Sequence, residues 1–146
     1  MRISITNAKR RLTIVWFTGA GILFALVLLQ TIFGKYLDRS GEAWAWLLPT
    51  FMPTLSLMLG VLVADSLSKV ETKNSEETAD QFVFRLSFFL SIAYLAVVIL
   101  TILLGPFFEQ SSKKPLLDLM KLSNLWLAPF QGLVSASLGA FFVSKK

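Results

Sequence analysis

The chain has 146 residues, of which 55% are hydrophobic and 16% are charged, whereas roughly 25% are charged in an average soluble domain. It contains no histidine and no cysteine, which excludes disulfides, thiol catalysis and metal sites built from imidazole or thiolate. The net charge of +5 is better explained by basic residues that meet anionic lipid beside apolar segments than by nucleic acid, and we expect no nucleic-acid partner.

Four apolar segments make up most of the chain, and the mean hydropathy is +0.67. They run over 12–33, 43–64, 82–104 and 122–143. Each has about 20 residues or more, the length that an α-helix needs to cross about 30 Å of hydrocarbon. We therefore predict an all-α, multi-pass membrane protein, a bundle of four transmembrane helices that forms a single membrane domain over 1–146 with the lipid bilayer around it.

The distribution of basic residues predicts the orientation. Segments 1–11, 65–85 and 144–146 together carry nine lysines and arginines, whereas 34–42 and 105–121 carry five. The positive-inside rule then places both termini in the cytoplasm, and we expect a bacterial inner membrane. Aromatic rings that favour the headgroup level fall at the predicted outer ends of the spans, namely Tyr36, Trp44, Trp46 and Trp126.

The first span carries Gly21 and Ala25, a pair of small residues four apart that lets another backbone come close. We expect it to pack against another helix of the same chain.

The second span contains two prolines, Pro49 and Pro53, which remove two backbone donors and predict a kink. The carbonyls they free must find partners inside protein or in a wet cavity, and Thr50 is a candidate to help. Further along, a stripe of small residues at four-residue spacing predicts close helix packing: Ser56, Gly60 and Ala64.

The connector 65–81 is the most polar part of the chain and has neither glycine nor proline. The simplest structure is a cytoplasmic hairpin of two helix extensions with a turn near 73–75. It is either a solvated hairpin or a docking site for a cytoplasmic protein, for which the candidate residues are Lys69, Lys73, Glu76, Glu77 and Asp80.

Gly105 and Pro106 are predicted to end the third span. After Pro115, a short segment has a broad apolar side, with Asp118 and Lys121 on the other side. This pattern suits a short amphipathic helix at the outer interface before the fourth span, which stays separate or bends directly into that span.

The fourth span combines small and polar residues, which indicates a helix packed on protein on most sides. The small ones are Gly132, Ala136 and Ala140, and the polar ones include Asn124, Gln131 and Ser135. Gln131 is the deepest strongly polar group. We interpret it as a hydrogen-bonding link between two helices, with a pore lining or a substrate contact as the functional alternative. The candidate pore or interhelical residues are therefore Gln131, Asn124, Thr50 and Ser135.

No catalytic, phosphate-binding or metal-binding pattern is present, so we expect no enzyme, no cofactor and no metal. No Asp, Glu or Lys lies in the middle of a span, which disfavours a proton-coupled transporter.

Three functions remain. The first is a homo-oligomeric module that forms a pore or perturbs the bilayer under the control of a cytoplasmic partner, by analogy with small membrane effectors of bacterial defence. The second is an accessory or assembly subunit of a larger membrane complex. The third is a small uncoupled transporter whose site lies in the kinked outer half of the second and fourth spans.

Overall fold

The computed structural model describes residues 3–68, 78–79, 81–112 and 115–143, and this part of the chain is dominated by four long helices. The helices are α1 (Ile5–Ile32), α2 (Ser40–Ser68), α3 (Gln81–Ser112) and α4 (Leu116–Val143). A 3-10 turn, Leu37–Arg39, precedes α2, and two short strands, β1 (Ile3–Ser4) and β2 (Thr78–Ala79), form one antiparallel pair.

Each of the four helices is long and apolar enough to cross a membrane. Between 28% and 33% of the apolar window of each span is buried inside the bundle. The remaining side chains must face hydrocarbon or other protein, because large apolar residues such as Phe89 and Leu125 are 71% exposed. The prediction of an all-α bundle of four membrane-spanning helices is confirmed.

The helices are arranged as a square in which α1 and α4 each pack against both α2 and α3. Helices α2 and α4 are parallel neighbours, because Trp46 meets Ser123 and Thr54 meets Ser135 further along both helices. Helices α2 and α3, although consecutive in the chain, lie across the diagonal of the square. The bundle therefore has one side formed by α2 and α4 alone.

The first helix ends in a Schellman motif, which explains the sharp turn into α2. The N–H of Lys35 donates to the carbonyl of Gln30 at 2.9 Å, and the N–H of Gly34 donates to that of Thr31 at 3.0 Å. Gly34 has a φ of +68°, the left-handed conformation that glycine adopts without a side-chain clash.

The third apolar span ends at Gly105, as predicted, but the helix itself continues to Ser112. Gly105 also has a packing role, since a Cβ at this position would collide with the side chain of Leu116 at the start of α4. The missing side chain lets the two helices approach closely.

The predicted short amphipathic helix at the interface is not a separate element. Helix α4 runs without a break from Leu116, because no glycine or proline occurs between Pro115 and Pro129. Its apolar side, including Leu117 and Met120, is buried in the bundle rather than lying on a membrane surface. Of the two possibilities, the segment continues directly into the fourth span.

Serine side chains link the helices across the core. The indole N–H of Trp16 donates to Ser91 Oγ at 2.9 Å, Ser91 donates to the carbonyl of Ser87, and Ser87 donates to the carbonyl of Ser137 at 3.1 Å. Each hydroxyl satisfies a buried polar group, and together they connect α1, α3 and α4.

Two of the aromatic residues at the predicted outer ends of the spans, Trp46 and Tyr36, are buried against protein. Trp46 donates its indole N–H to Ser123 Oγ at 3.1 Å, and the hydroxyl of Tyr36 donates to Gln30 Oε1. Burial raises the pKa of Tyr36 to about 12, which keeps the phenol protonated as a donor. Trp126, in contrast, is 50% exposed. Trp46 and Tyr36 therefore each donate to a side chain of the same chain.

Candidate functional site

Helices α2 and α4 both expose small residues and prolines, and the side of the bundle that these two helices form is called here the α2–α4 face. On α2 they are Pro49, Pro53, Ser56, Gly60 and Ala64, and on α4 they are Ala128, Gly132, Ala136 and Ala140. A Cβ built on Gly60 or Gly132 would meet no atom within 4 Å. The predicted packing stripes therefore have no partner among the described residues of the chain, and their packing role stays a prediction.

The pair Gly21 and Ala25 is likewise exposed, so the expected packing against another helix does not occur among the residues that the structure describes. The close approach of α1 to α3 occurs at Gly19 instead, where a Cβ would lie 2.7 Å from Leu95 Cδ1.

Gln131 joins α4 to the proline-containing part of α2. Pro53 has no N–H, so the carbonyl of Pro49 loses the donor that an uninterrupted helix would supply four residues later. Gln131 Nε2 replaces it and donates to that carbonyl at 2.9 Å. The side chain is half-buried, and its Oε1 and second N–H make no other hydrogen bond among the described residues.

Tyr94 supports the same part of α2 from the opposite corner of the bundle. Its hydroxyl donates to the carbonyl of Thr50 at 2.8 Å, and its ring packs edge-on against Phe130 with centroids 5.5 Å apart. Thr50 Oγ1 in turn donates to the carbonyl of Trp46 at 2.7 Å. Carbonyls in the proline-containing part of α2 thus accept hydrogen bonds from α3, from α4 and from its own threonine.

A cavity of about 230 Å³ lies beside these hydrogen bonds, between α2 and α4 with α3 behind it. It is lined by Ala45, Trp46, Pro49, Thr50, Tyr94, Asn124, Leu127, Ala128 and Gln131. Because the residues at its rim are exposed, the cavity opens onto the α2–α4 face. None of the described lining residues is charged, so the cavity offers hydrogen bonds and no acid–base chemistry.

Three of the four candidate polar residues therefore meet in one place, since Gln131, Asn124 and Thr50 all line this cavity. Ser135 does not, and its Oγ lies 3.5 Å from the Oγ1 of Thr54. Sequence reasoning missed Tyr94, the one tyrosine inside a span, whose hydroxyl within an apolar segment was an available signal.

Charged side chains connect the beginning of α2 to the beginning of α4 at the same end of the bundle. Arg39 contacts Glu42 through Nε and Nη2, each at 2.8 Å, and Lys121 Nζ lies 2.8 Å from Glu42 Oε2. Arg39 also lies 3.7 Å from Asp118. These charges neutralise one another, so the group helps to hold α4 beside α2 next to the cavity.

The predicted docking residues all lie outside the described residues: Lys69, Lys73, Glu76, Glu77 and Asp80. Among the residues that are described, no cluster of acidic side chains could hold a metal ion.

No family model, no curated protein and no solved structure matches the chain. The function must therefore be inferred from the geometry of the α2–α4 face and its cavity.

Proposed function

We propose that the chain is a non-enzymatic, homo-oligomeric membrane module whose copies meet through the α2–α4 face and enclose a polar passage. One observation carries the proposal: exposed small residues of α4 lie within two turns of the half-buried carboxamide of Gln131 and the exposed carboxamide of Asn124. Gly132 and Ala136 follow Gln131 on α4, and Asn124 precedes it by two turns.

Hydrocarbon is a poor environment for this face. The transfer of an amide from water to cyclohexane without a hydrogen-bond partner costs about 4–8 kcal/mol of free energy. Asn124 is exposed and makes no hydrogen bond to the described residues, and the open cavity beside it contains further polar atoms. Neighbouring protein or trapped water can satisfy these groups, whereas lipid tails cannot.

The small residues make such a neighbour easy to accommodate. Ser56, Gly60, Gly132 and Ala136 allow backbones to approach closely, and close approach drives helix association in membranes, where the hydrophobic effect between helices is absent. A second copy of the chain is the partner with a complementary surface of the same kind.

A passage requires several copies, because the interior of one bundle is filled. Trp16, Tyr94 and Leu127 are among the large side chains that close the core, each at most 2% exposed. Copies that meet through the α2–α4 face would instead bring their Gln131 and Asn124 carboxamides together around a shared axis. Such a passage is polar but uncharged, and it has no built-in coupling to protons.

The proposal includes control from the cytoplasm. The connector after α2 carries both lysines and acids between 69 and 80, charges that suit a cytoplasmic protein partner. A bacterial inner membrane and a role as a defence effector are part of this proposal, by analogy with other small membrane effectors.

The absence of cysteine allows a clean test of the assembly. Single Ser56→Cys and Ala136→Cys variants, oxidised in native membranes, are expected to give a disulfide-linked dimer of this chain. The matched control is Ala93→Cys, which places the thiol on an exposed position of α3. If Ala93→Cys cross-links equally well, or if the first two variants link only to a different protein, the face is not a contact between copies and the accessory-subunit function is favoured.

The passage itself is tested by leakage from liposomes. The purified chain is expected to release a small trapped dye or ion, with a change in rate for Gln131→Leu and none for Ala93→Leu. If the copies cross-link but the liposomes release no dye or ion, with or without cytoplasmic extract, the chain is an oligomer and the pore hypothesis is wrong.

A further inference from the structure

We propose that the cavity beneath the α2–α4 face binds a small uncharged molecule with both hydrogen-bond donors and acceptors, the chemical class of urea and simple primary amides. The site belongs to a single copy of the chain and does not require the passage.

The cavity has unused hydrogen-bonding capacity of both kinds. Asn124 presents a whole carboxamide with no partner among the described residues, and Gln131 uses only Nε2, which leaves its Oε1 as an acceptor. Ala45 also lines the cavity, and because Pro49 has no N–H, the carbonyl of Ala45 lacks the donor that a helix supplies four residues later. The side-chain oxygens of Asn124 and Gln131 can therefore accept hydrogen bonds while their remaining N–H groups donate, and a planar amide can complement both.

The size of the cavity limits the ligand to a small solute. A volume of about 230 Å³ lies below the roughly 300–1,000 Å³ of pockets for drug-sized molecules. It corresponds to roughly eight waters at about 30 Å³ each, so a ligand of a few non-hydrogen atoms fits together with some water.

The absence of charge in the lining selects against ions. An acetate or a guanidinium ion would lose its hydration without meeting an opposite charge, because no described lining residue is charged and the charged group around Glu42 is already internally paired. The inner wall is rigid, since Trp46, Tyr94 and Leu127 are buried and both aromatic residues are held by hydrogen bonds. A preformed wall lowers the ordering cost of binding.

The test uses acetamide as the probe and acetate, its charged isostere, as the matched control ligand. Saturation-transfer NMR on the purified chain in detergent detects weak binding, with empty micelles subtracted. The side-chain amide signals of Asn124 and Gln131 report its location. We expect saturation transfer to acetamide, no transfer to acetate, and shifts confined to these two carboxamides.

Two variants separate binding from folding. Ala128→Leu fills the exposed mouth without removing a hydrogen bond and is expected to abolish the acetamide signal, whereas Ala93→Leu adds the same bulk on α3 and leaves it unchanged. Asn124→Leu removes a group that bonds to no described residue, so the fold is kept while acetamide binding weakens about tenfold.

Equal transfer to acetamide and acetate, or a signal that survives Ala128→Leu, would mean that the cavity holds only water, and the inference would be wrong. The result is independent of the pore. If the chain binds acetamide but releases no dye, this site is supported and the proposed passage is refuted. If it releases dye without binding acetamide, the passage is supported and this site is refuted.

Discussion

The hydrogen bond from Gln131 to the carbonyl of Pro49 exists because Pro53 removes the normal helical donor, so the two residues should be energetically coupled. Replacing Gln131 by leucine keeps most of the side-chain volume and removes the carboxamide, whose only hydrogen bond to a described residue is the one to the carbonyl of Pro49. In the natural background, the carbonyl of Pro49 then has no partner. In a Pro53→Ala background, the N–H of the new alanine can donate to it.

The size of the effect follows from the position of the bond. Interhelical hydrogen bonds in membrane proteins contribute about 0.6 kcal/mol on average and up to about 1.7 kcal/mol. An orphaned carbonyl costs about 1–3 kcal/mol when buried, and Gln131 is half-buried at 2.9 Å from its acceptor. We therefore expect Gln131→Leu to lower the free energy of unfolding by about 1–1.5 kcal/mol, and by less than about 0.5 kcal/mol when Pro53 is alanine.

Unfolding in mixed micelles by titration with dodecyl sulfate, followed by circular dichroism, measures all four members of this double-mutant cycle. Asn124→Leu is the matched control, because it removes a carboxamide from the same helix that bonds to no described residue, and we expect a change within about 0.5 kcal/mol. An equal loss for Gln131→Leu in both proline backgrounds would refute the coupling. A loss of similar size for Asn124→Leu would show that removing any carboxamide from α4 lowers stability, and that the hydrogen bond from Gln131 to the carbonyl of Pro49 is not the cause.

Two further predictions concern packing and charge. Gly19→Leu should destabilise the bundle by about 1–3 kcal/mol, because a Cβ there already lies 2.7 Å from Leu95 Cδ1. Gly21→Leu is the control and should leave the unfolding of the single chain unchanged, because a Cβ at that position meets no atom within 4 Å. The same dodecyl sulfate titration measures both variants, and equal losses of stability would contradict the contact between α1 and α3 at Gly19. Glu42→Gln should cause a small loss of stability at low salt that disappears at high salt, because this exposed carboxylate accepts hydrogen bonds from two cationic side chains. At 1 M salt the screening length is about 3 Å, so a loss that persists there would argue against an electrostatic origin.

Much of the fold follows from the sequence alone. Four apolar segments of membrane-spanning length leave the backbone no alternative to helices, because hydrocarbon offers its N–H and C=O groups no other partner. The same reasoning identified the prolines of the second span as a source of unpaired carbonyls and Gln131 as a group in need of a partner. It could not pair them, because the distance between residues 49 and 131 along the chain carries no information about which helices are neighbours.

Tertiary structure decided the neighbours, and with them the site. The square arrangement places α2 beside α4, so Gln131, Asn124 and Thr50 line one cavity, while Ser135 stays outside it. It also decided two local questions, because Gly105 packs against Leu116 where α3 continues past the end of its apolar span, and the apolar side of the segment after Pro115 faces the bundle rather than the membrane surface. Hydropathy measures how strongly a side chain avoids water, but it does not tell whether that side chain contacts lipid or protein instead. Only the packing of the helices decides that.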